Sequence, residues 1–236
     1  MKYRNLHPWN VSPKEAMRIQ AELRSQVVLE RGFGEIGFIA GADIALDKDT
    51  NKGYAGVIVY RFPELIEVER RHAVENLTFP YIPGLLAFRE APVLLKAFAE
   101  VKQEPDVIVF DGQGLAHPRR VGIATHMGLL LDKPSIGCAK SRLIGRYEEP
   151  GAQAGQYTPL TDSGETIGAV LRTRDNVNPV FISPGHKVDL SSSIEIIMKC
   201  VDGYRIPKPT READHFVGEV KKGTYTPDEW RQERLF

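Results

Sequence analysis

Three strand-like runs follow one another in the first third of the chain, and the links between them largely dictate how they pair. Residues 36–43, 53–61 and 65–74 are each rich in apolar and β-branched side chains. Asn51-Lys52-Gly53 precedes the second run and Phe62-Pro63-Glu64 the third. Both links carry turn chemistry short enough for antiparallel hairpins.

A helix stands upstream of them. Ser12-Pro13-Lys14-Glu15 reads as a capping box with proline at the first helical position. Ala16, Ile19, Leu23 and Val27 follow at helical spacing. Downstream, a proline-marked loop at 79–84 leads into a helix expected over about 85–101, which Pro92 should kink or split. Residues 106–110 form a short buried strand ending in Asp111-Gly112, 122–131 a helix, and 134–139 another buried strand. A hairpin over 167–172 and 179–182 follows, and helices at 189–201 and 210–221 close the pattern. Three antiparallel strands followed by alternating helix and strand predict an α/β chain. Its mixed sheet would be ribonuclease H-like, with antiparallel then parallel strands, flanked by helices. With 236 residues and no repeat or linker, one domain over 1–236 is expected, its last stretch from about 217 an unassigned tail.

Several function classes drop out on composition. No apolar run approaches the roughly 20 residues of a membrane-spanning helix, and residues 1–10 lack a signal-peptide core. A cytoplasmic protein with no membrane partner is expected. Cys138 and Cys200 lie far apart in apolar surroundings and read as buried thiols. Thirty-one basic and 31 acidic residues cancel, which argues against bulk electrostatic grip on nucleic acid but leaves local grip open. Gly112-Gln113-Gly114 resembles a dinucleotide-binding turn, yet the third glycine of that pattern would fall where His117 stands. No phosphate-cradling loop and no His-Glu-x-x-His zinc motif occurs.

Two carboxylates draw attention instead. Asp43 sits inside an apolar strand with no turn residue beside it, a costly place for a charge unless it is paired or holds a cation. Asp111 ends the all-apolar strand Val107-Ile108-Val109-Phe110; Asp-Gly is also a common turn former, so that residue alone fits either role. If the two strands are neighbours, both side chains converge on one cation, with Glu90 and Asp214 available to complete the cluster. Oxygen ligands without cysteine suit magnesium, with manganese as a substitute. Such a cluster suits phosphodiester hydrolysis without a nucleophilic side chain. Lys140, at the end of the strand through Ala139, would then stabilise charge on the scissile phosphate or orient the water.

Phe79-Pro80-Tyr81-Ile82-Pro83-Gly84 is the least ordinary segment. Two prolines stiffen it, so Tyr81 can either wedge into a base stack or cap the core with its neighbours.

The chain resembles the endonuclease V family, the deoxyinosine-directed repair nucleases. The resemblance rests on Pro80-Tyr81-Ile82-Pro83-Gly84, Phe88-Arg89-Glu90, Phe110-Asp111-Gly112-Gln113-Gly114, Ala116-His117-Pro118-Arg119 and Gly122-Ile123-Ala124-Thr125-His126. Ala139-Lys140-Ser141-Arg142-Leu143, Ser183-Pro184-Gly185-His186 and Pro207-Lys208-Pro209-Thr210-Arg211 extend it. It implies magnesium held directly by Asp43 and Asp111, with Glu90 and Asp214 completing the site partly through water. It further implies Tyr81 as wedge, Lys140 beside the scissile phosphate and His117 near the active site. Gly84 and Leu86 would offer backbone groups to the extruded hypoxanthine, with Pro80, Ile82 and Arg89 beside them on the substrate side. The family hydrolyses the second phosphodiester 3′ to the lesion, leaving a 3′-hydroxyl and a 5′-phosphate. After Pro209-Thr210-Arg211 this chain has Asp214 and His215 adjacent, and the register favours Asp214, since His215 lies about 100° further round a helix. The expected partner is DNA containing deoxyinosine. The same site acting on inosine in RNA is the alternative, and a catalytically silent nucleic-acid-binding module is disfavoured by the intact carboxylates.

Overall fold

The sheet alternates its side chains between two cores, and that alternation places every charged group of interest. The computed structural model describes residues 1–227; the remainder of the expected tail lies outside the described residues. Eight strands form one sheet: β1 (Phe38–Leu46), β2 (Lys52–Arg61), β3 (Ile66–Asn76), β4 (Val107–Phe110), β5 (Ser135–Ala139), β6 (Tyr157–Asp162), β7 (Glu165–Leu171) and β8 (Val180–His186). Their spatial order is β3-β2-β1-β4-β5-β8-β7-β6. β1, β2 and β3 pair antiparallel, β4 joins β1 in parallel and β5 joins β4 in parallel. β8, β7 and β6 then complete the sheet with antiparallel pairings. The mixed sheet and its antiparallel-then-parallel run β3-β2-β1-β4-β5 are as the sequence predicts; β8, β7 and β6 add an antiparallel second half.

Among the described residues the helices are α1 (Pro13–Arg24), α2 (Leu86–Ala99), α3 (Ile123–Leu131), α4 (Leu190–Lys199) and α5 (Lys208–Lys222). Ala40, Ala42, Val57, Val59, Ile108 and Phe110 face the core shared with α2 and α3. Ile39, Ile58, Val107, Val109, Ile136 and Cys138 face the opposite core, with α4 and α5. Two-residue periodicity then carries Asp43, Asp111 and Lys140 to the α5 face, as continuations of 39-41, 107-109 and 136-138.

Two glycines let α5 approach that face. A Cβ on Gly41 would stand 1.9 Å from the carbonyl oxygen of Pro209 in the first turn of α5. A Cβ on Gly56, the β2 partner of Asp43, would stand 2.7 Å from Val217 and 2.8 Å from Phe216. Without side chains at these positions α5 lies directly on β1 and β2, and Asp214 comes down beside the strand ends.

The structure amends several expectations. Ser12 caps α1 by accepting from the Glu15 amide at 3.2 Å, but the Glu15 carboxylate pairs with Arg18 and does not return to the cap. Pro92 lies inside α2, which is a single helix, not two. β6 is absent from the sequence reading because Pro159 interrupts it and only Leu160 is buried; it survives as an edge strand, where a missing N–H costs no ladder bond. The helix expected over 210–221 is α5, Lys208–Lys222, so the first residues of the unassigned tail belong to it. Tyr225 packs on Phe216 and His72.

The segment before α1 is fastened by a buried histidine pair. His7 Nε2 meets His126 Nε2 at 2.6 Å, with Trp9 and Phe88 around them. His7 Nδ1 donates to the Pro8 carbonyl, so its Nε2 is the acceptor and His126 the donor. Burial, reinforced by His7 and His117, lowers the His126 pKa to about 3.

Two outcomes follow. Gly41→Ala forces backbone apart and should cost at least about 2 kcal/mol in urea denaturation, whereas Gly218→Ala, with open space around it on α5, should stabilise by up to about 1 kcal/mol. Because His126 binds its proton far more weakly folded than at the ordinary 6.5, stability is complete above about pH 6.5 and falls as pH drops toward about 3. Urea midpoints at about pH 7 and about pH 4.5 should show that fall, and His126→Gln should shrink it.

Candidate active site

The ends of β1, β4 and β5 deliver Asp43, Asp111 and Lys140 to one spot, and α5 closes it with Asp214. Each of the three carboxylates offers an oxygen within 4.8 Å of the others. Lys140 Nζ lies 2.7 Å from Asp111 Oδ2 and 2.7 Å from Asp214 Oδ2. The site is graded in exposure: the Asp111 side chain is 16% exposed, Lys140 44% and Asp214 54%. One side therefore faces the protein and the other faces solvent.

Electrostatics reveal how uncomfortable the cluster is. Burial first, then the neighbouring Asp111 charge and more weakly Asp214, push the Asp43 pKa up to about 8; the Ile44 amide and Lys140 oppose this without balancing it. Burial would pull Lys140 down, but its hydrogen bonds to Asp111 and Asp214 outweigh burial and hold the ammonium well above its ordinary value. Glu90, on the second turn of α2, is also raised, to about 7, by burial against the opposing pull of Arg89 and with a contribution from Asp111. Glu90 lines the same cavity but stands outside the converging group of three. His215 turns away, 75% exposed and 3.6 Å from Glu219, so Asp214 is the residue of that pair facing Lys140.

A cavity of about 450 Å³ opens beside the carboxylates, within the size range of small-molecule and base pockets. Asp43, Glu90, Asp111 and Lys140 form one side; Tyr81, Gly84 and Leu86 another; Gly112, Gln113, Gly122 and Ile123 a third. Tyr81 is 66% exposed at its rim. The segment from Asp111 to Gly122, which lines part of the cavity, is a long loop, not the tight turn of a dinucleotide site. It is packed so closely that a Cβ on Gly114 would stand 2.2 Å from the Pro184 carbonyl oxygen.

The wall near Tyr81 is fixed by a buried polar chain. The Gly84 carbonyl accepts from Arg119 Nη2 at 2.6 Å and meets His117 Nε2 at 3.0 Å. His117 Nδ1 accepts from the Arg119 amide, which leaves the proton on Nε2 as donor to Gly84. Burial, then the Arg119 charge, depresses His117 to about 4, so this neutral tautomer holds at physiological pH. Arg119 Nε in turn donates to Gln20 Oε1 at 2.6 Å, and Gln20 Nε2 donates to the Val121 carbonyl.

Of the residues named from sequence, the structure brings Asp43, Glu90, Asp111, Lys140, His117, Tyr81, Gly84 and Leu86 to the cavity wall. Asp214 joins through Lys140. Pro80, Ile82 and Arg89 are not on that wall. Ile82 packs with the α1 core. Arg89 donates to the Phe79 carbonyl at 2.5 Å and to Asn51 Oδ1 at 2.8 Å, bracing the Tyr81 loop from behind. Sequence reasoning missed Gln20 and named Gln113 and Arg119 only within motifs, with no role of their own. Gln20 could have been found: it lies four residues after Ala16 on the buried face of α1, where a polar side chain needs a partner.

The comparisons with known proteins agree with one another. The endonuclease V family model matches residues 21–215. An endonuclease V of Methanothrix thermoacetophila is 50% identical over 213 residues, 90% of this chain and 94% of that protein. The crystal structure of endonuclease V from Streptomyces avermitilis superposes with a TM-score of 0.87 at 40% identity, covering 92% of this chain and 96% of that one. A Ciona intestinalis endonuclease V variant, crystallised with a 23mer DNA containing an inosine followed by a ribo-adenosine, gives a TM-score of 0.80 at 26% identity, covering 91% and 100%. On sequence and fold together, this chain belongs to the endonuclease V family.

Proposed function

We propose that this chain is a magnesium-dependent DNA repair endonuclease. It recognises deoxyinosine and hydrolyses the second phosphodiester on its 3′ side, leaving a 3′-hydroxyl and a 5′-phosphate. One observation carries the reading: two of three converging carboxylates, Asp43 and Asp111, and Lys140 border a base-sized cavity that an exposed tyrosine also lines. Family membership supports the nuclease chemistry, and the inosine-containing DNA bound by the Ciona relative supports deaminated bases as its target.

The donor set fits a hard divalent cation. Its ligand atoms are carboxylate oxygens alone, and burial first, then the neighbouring Asp111 charge, holds Asp43 well above its ordinary pKa, a state that a bound cation would relieve. Asp43, Asp111 and Asp214 would hold the ion, with Glu90 beside them. Magnesium, or manganese in its place, supplies Lewis acidity there, lowering the pKa of an attacking water and stabilising charge on the leaving oxygen.

The protein's own groups do the rest. Tyr81, on a loop stiffened by Pro80 and Pro83 and braced by Arg89, presents its ring to a base stack and fills the gap left by an extruded nucleotide. The extruded base enters the cavity between Leu86 and Gly122. His117 and Arg119 already occupy the Gly84 carbonyl, so that peptide shapes the pocket with its plane fixed and is not a free acceptor. Lys140 offers a positive charge and N–H donors to the scissile phosphate.

Binding and cleavage should separate cleanly on a duplex with one deoxyinosine. Asp43→Ala or Asp111→Ala should reduce cleavage with magnesium by at least about 1000-fold and leave affinity for the uncut lesion within about threefold. Tyr81→Ala should weaken that affinity by about 10-fold or more, as measured by fluorescence anisotropy. Cleavage by Asp43→Ala at the wild-type rate would remove the metal assignment, and equal affinity of Tyr81→Ala for lesion and plain duplex, with wild type also indifferent, would remove the wedge.

A further inference from the structure

The strand that delivers Lys140 ends where its ladder runs out. β5 pairs with β8 as far as Ala139 opposite Phe181. Lys140 lies one residue beyond, outside the ladder. The Lys140 carbonyl therefore needs a donor from elsewhere.

Arg205 supplies it. From the loop between α4 and α5, its Nη2 donates to the Lys140 carbonyl at 2.7 Å and to the Pro179 carbonyl at 2.8 Å, while Nε donates to the Asn178 carbonyl at 2.9 Å. Its own carbonyl accepts from the buried Thr173 hydroxyl at 2.6 Å. One planar guanidinium thus ties three segments: the end of β5, the β7–β8 connection and the loop that leads into α5. The first ends at Lys140 and the last leads into α5, which carries Asp214; the two side chains meet at 2.7 Å. Among the described residues the Lys140 carbonyl has no other hydrogen bond.

We infer that Arg205 is a positioning residue for the phosphodiester cleavage, fixing the backbone at Lys140 and hence where its ammonium stands relative to Asp111 and Asp214. The inference rests on the function proposed above. Arg205 touches no group that reacts. It acts through Lys140, and lysine in its place cannot reproduce a planar fork spanning three carbonyls.

The experiment compares wild type, Arg205→Ala, Arg205→Lys, Lys140→Ala and the Arg205→Ala/Lys140→Ala double variant. Single-turnover cleavage of a deoxyinosine duplex is measured at saturating enzyme with magnesium, together with affinity for the uncut duplex. A displacement of about 1 Å at a reacting group can cost about 100-fold. Arg205→Ala should therefore cleave about 10- to 100-fold more slowly at affinity within about twofold, with Arg205→Lys only partly recovered. In the double variant the loss should be no greater than in Lys140→Ala alone, because Arg205 works only through that lysine. Independent, multiplicative losses, or an Arg205→Ala rate within about twofold of wild type, would overturn the inference.

Hydrogen exchange of the metal-free proteins is the second arm and does not depend on activity. Arg205→Ala should speed exchange in the peptide around 139–143 while β1 and β4 stay protected; a uniform rise across the sheet would show general destabilisation and contradict the clamp. If wild type leaves deoxyinosine DNA uncut, the proposed function falls, and the exchange result alone decides whether Arg205 clamps Lys140.

Discussion

Everything at this site depends on a carboxylate, Asp43, being held where water cannot fully reach it and beside another carboxylate. Strand alternation sends Asp43 to the α5 face, and the parallel neighbour β4 brings Asp111 to the same place. The folded chain does not relieve that repulsion fully: Lys140 neutralises Asp111 and Asp214, and Asp43 remains displaced to about 8. A fold that sought stability alone would place an apolar residue there. Keeping a carboxyl there makes sense where a bound cation would hold it ionised and serve a reaction.

That constraint explains features that otherwise look unrelated. Gly41 and Gly56 are bare so that α5 can lie close enough for Asp214 to contribute. Arg205 reaches across three segments, and one of the carbonyls it holds is that of Lys140, just past the end of the β5–β8 ladder. On the other side of the cavity, the chain from Gln20 through Arg119 and His117 to Gly84 fixes the peptide next to Tyr81. Arg89 braces the same loop from α2, the helix that carries Glu90. The groups suited to chemistry and those suited to opening a base stack therefore share one rigid frame, which suits an enzyme that must cut at a fixed distance from a lesion.

Much of this was legible in the amino-acid order, for identifiable reasons. β1, β2 and β3 show in the apolar periodicity and turn residues, α1 in its Ser12 cap, and Asp43 in the absence of any local reason for a charge inside a strand. Local signals were weaker where tertiary position decides. Pro159 hides β6 until the strand is known to be an edge. Pro92 signals a break, yet α2 continues through it as one helix packed on β2 and β3. Arg89 was grouped with the substrate by its place in a motif, while its hydrogen bonds place it behind the Tyr81 loop. Gln20 and Arg205 owe their roles to partners far away in sequence, Val121 and Lys140 among them, and no spacing pattern encodes such contacts.

The most direct test is to map the cut. A 5′-labelled strand with a single deoxyinosine, annealed and incubated with the protein and magnesium, is resolved beside a sequence ladder and the same strand without the lesion. A wedge and a cation site held in one frame predict a single product ending one nucleotide 3′ to the deoxyinosine with a free 3′-hydroxyl, and none from the undamaged strand or when the metal is chelated. Cleavage scattered along both strands, or unchanged after chelation, would contradict it.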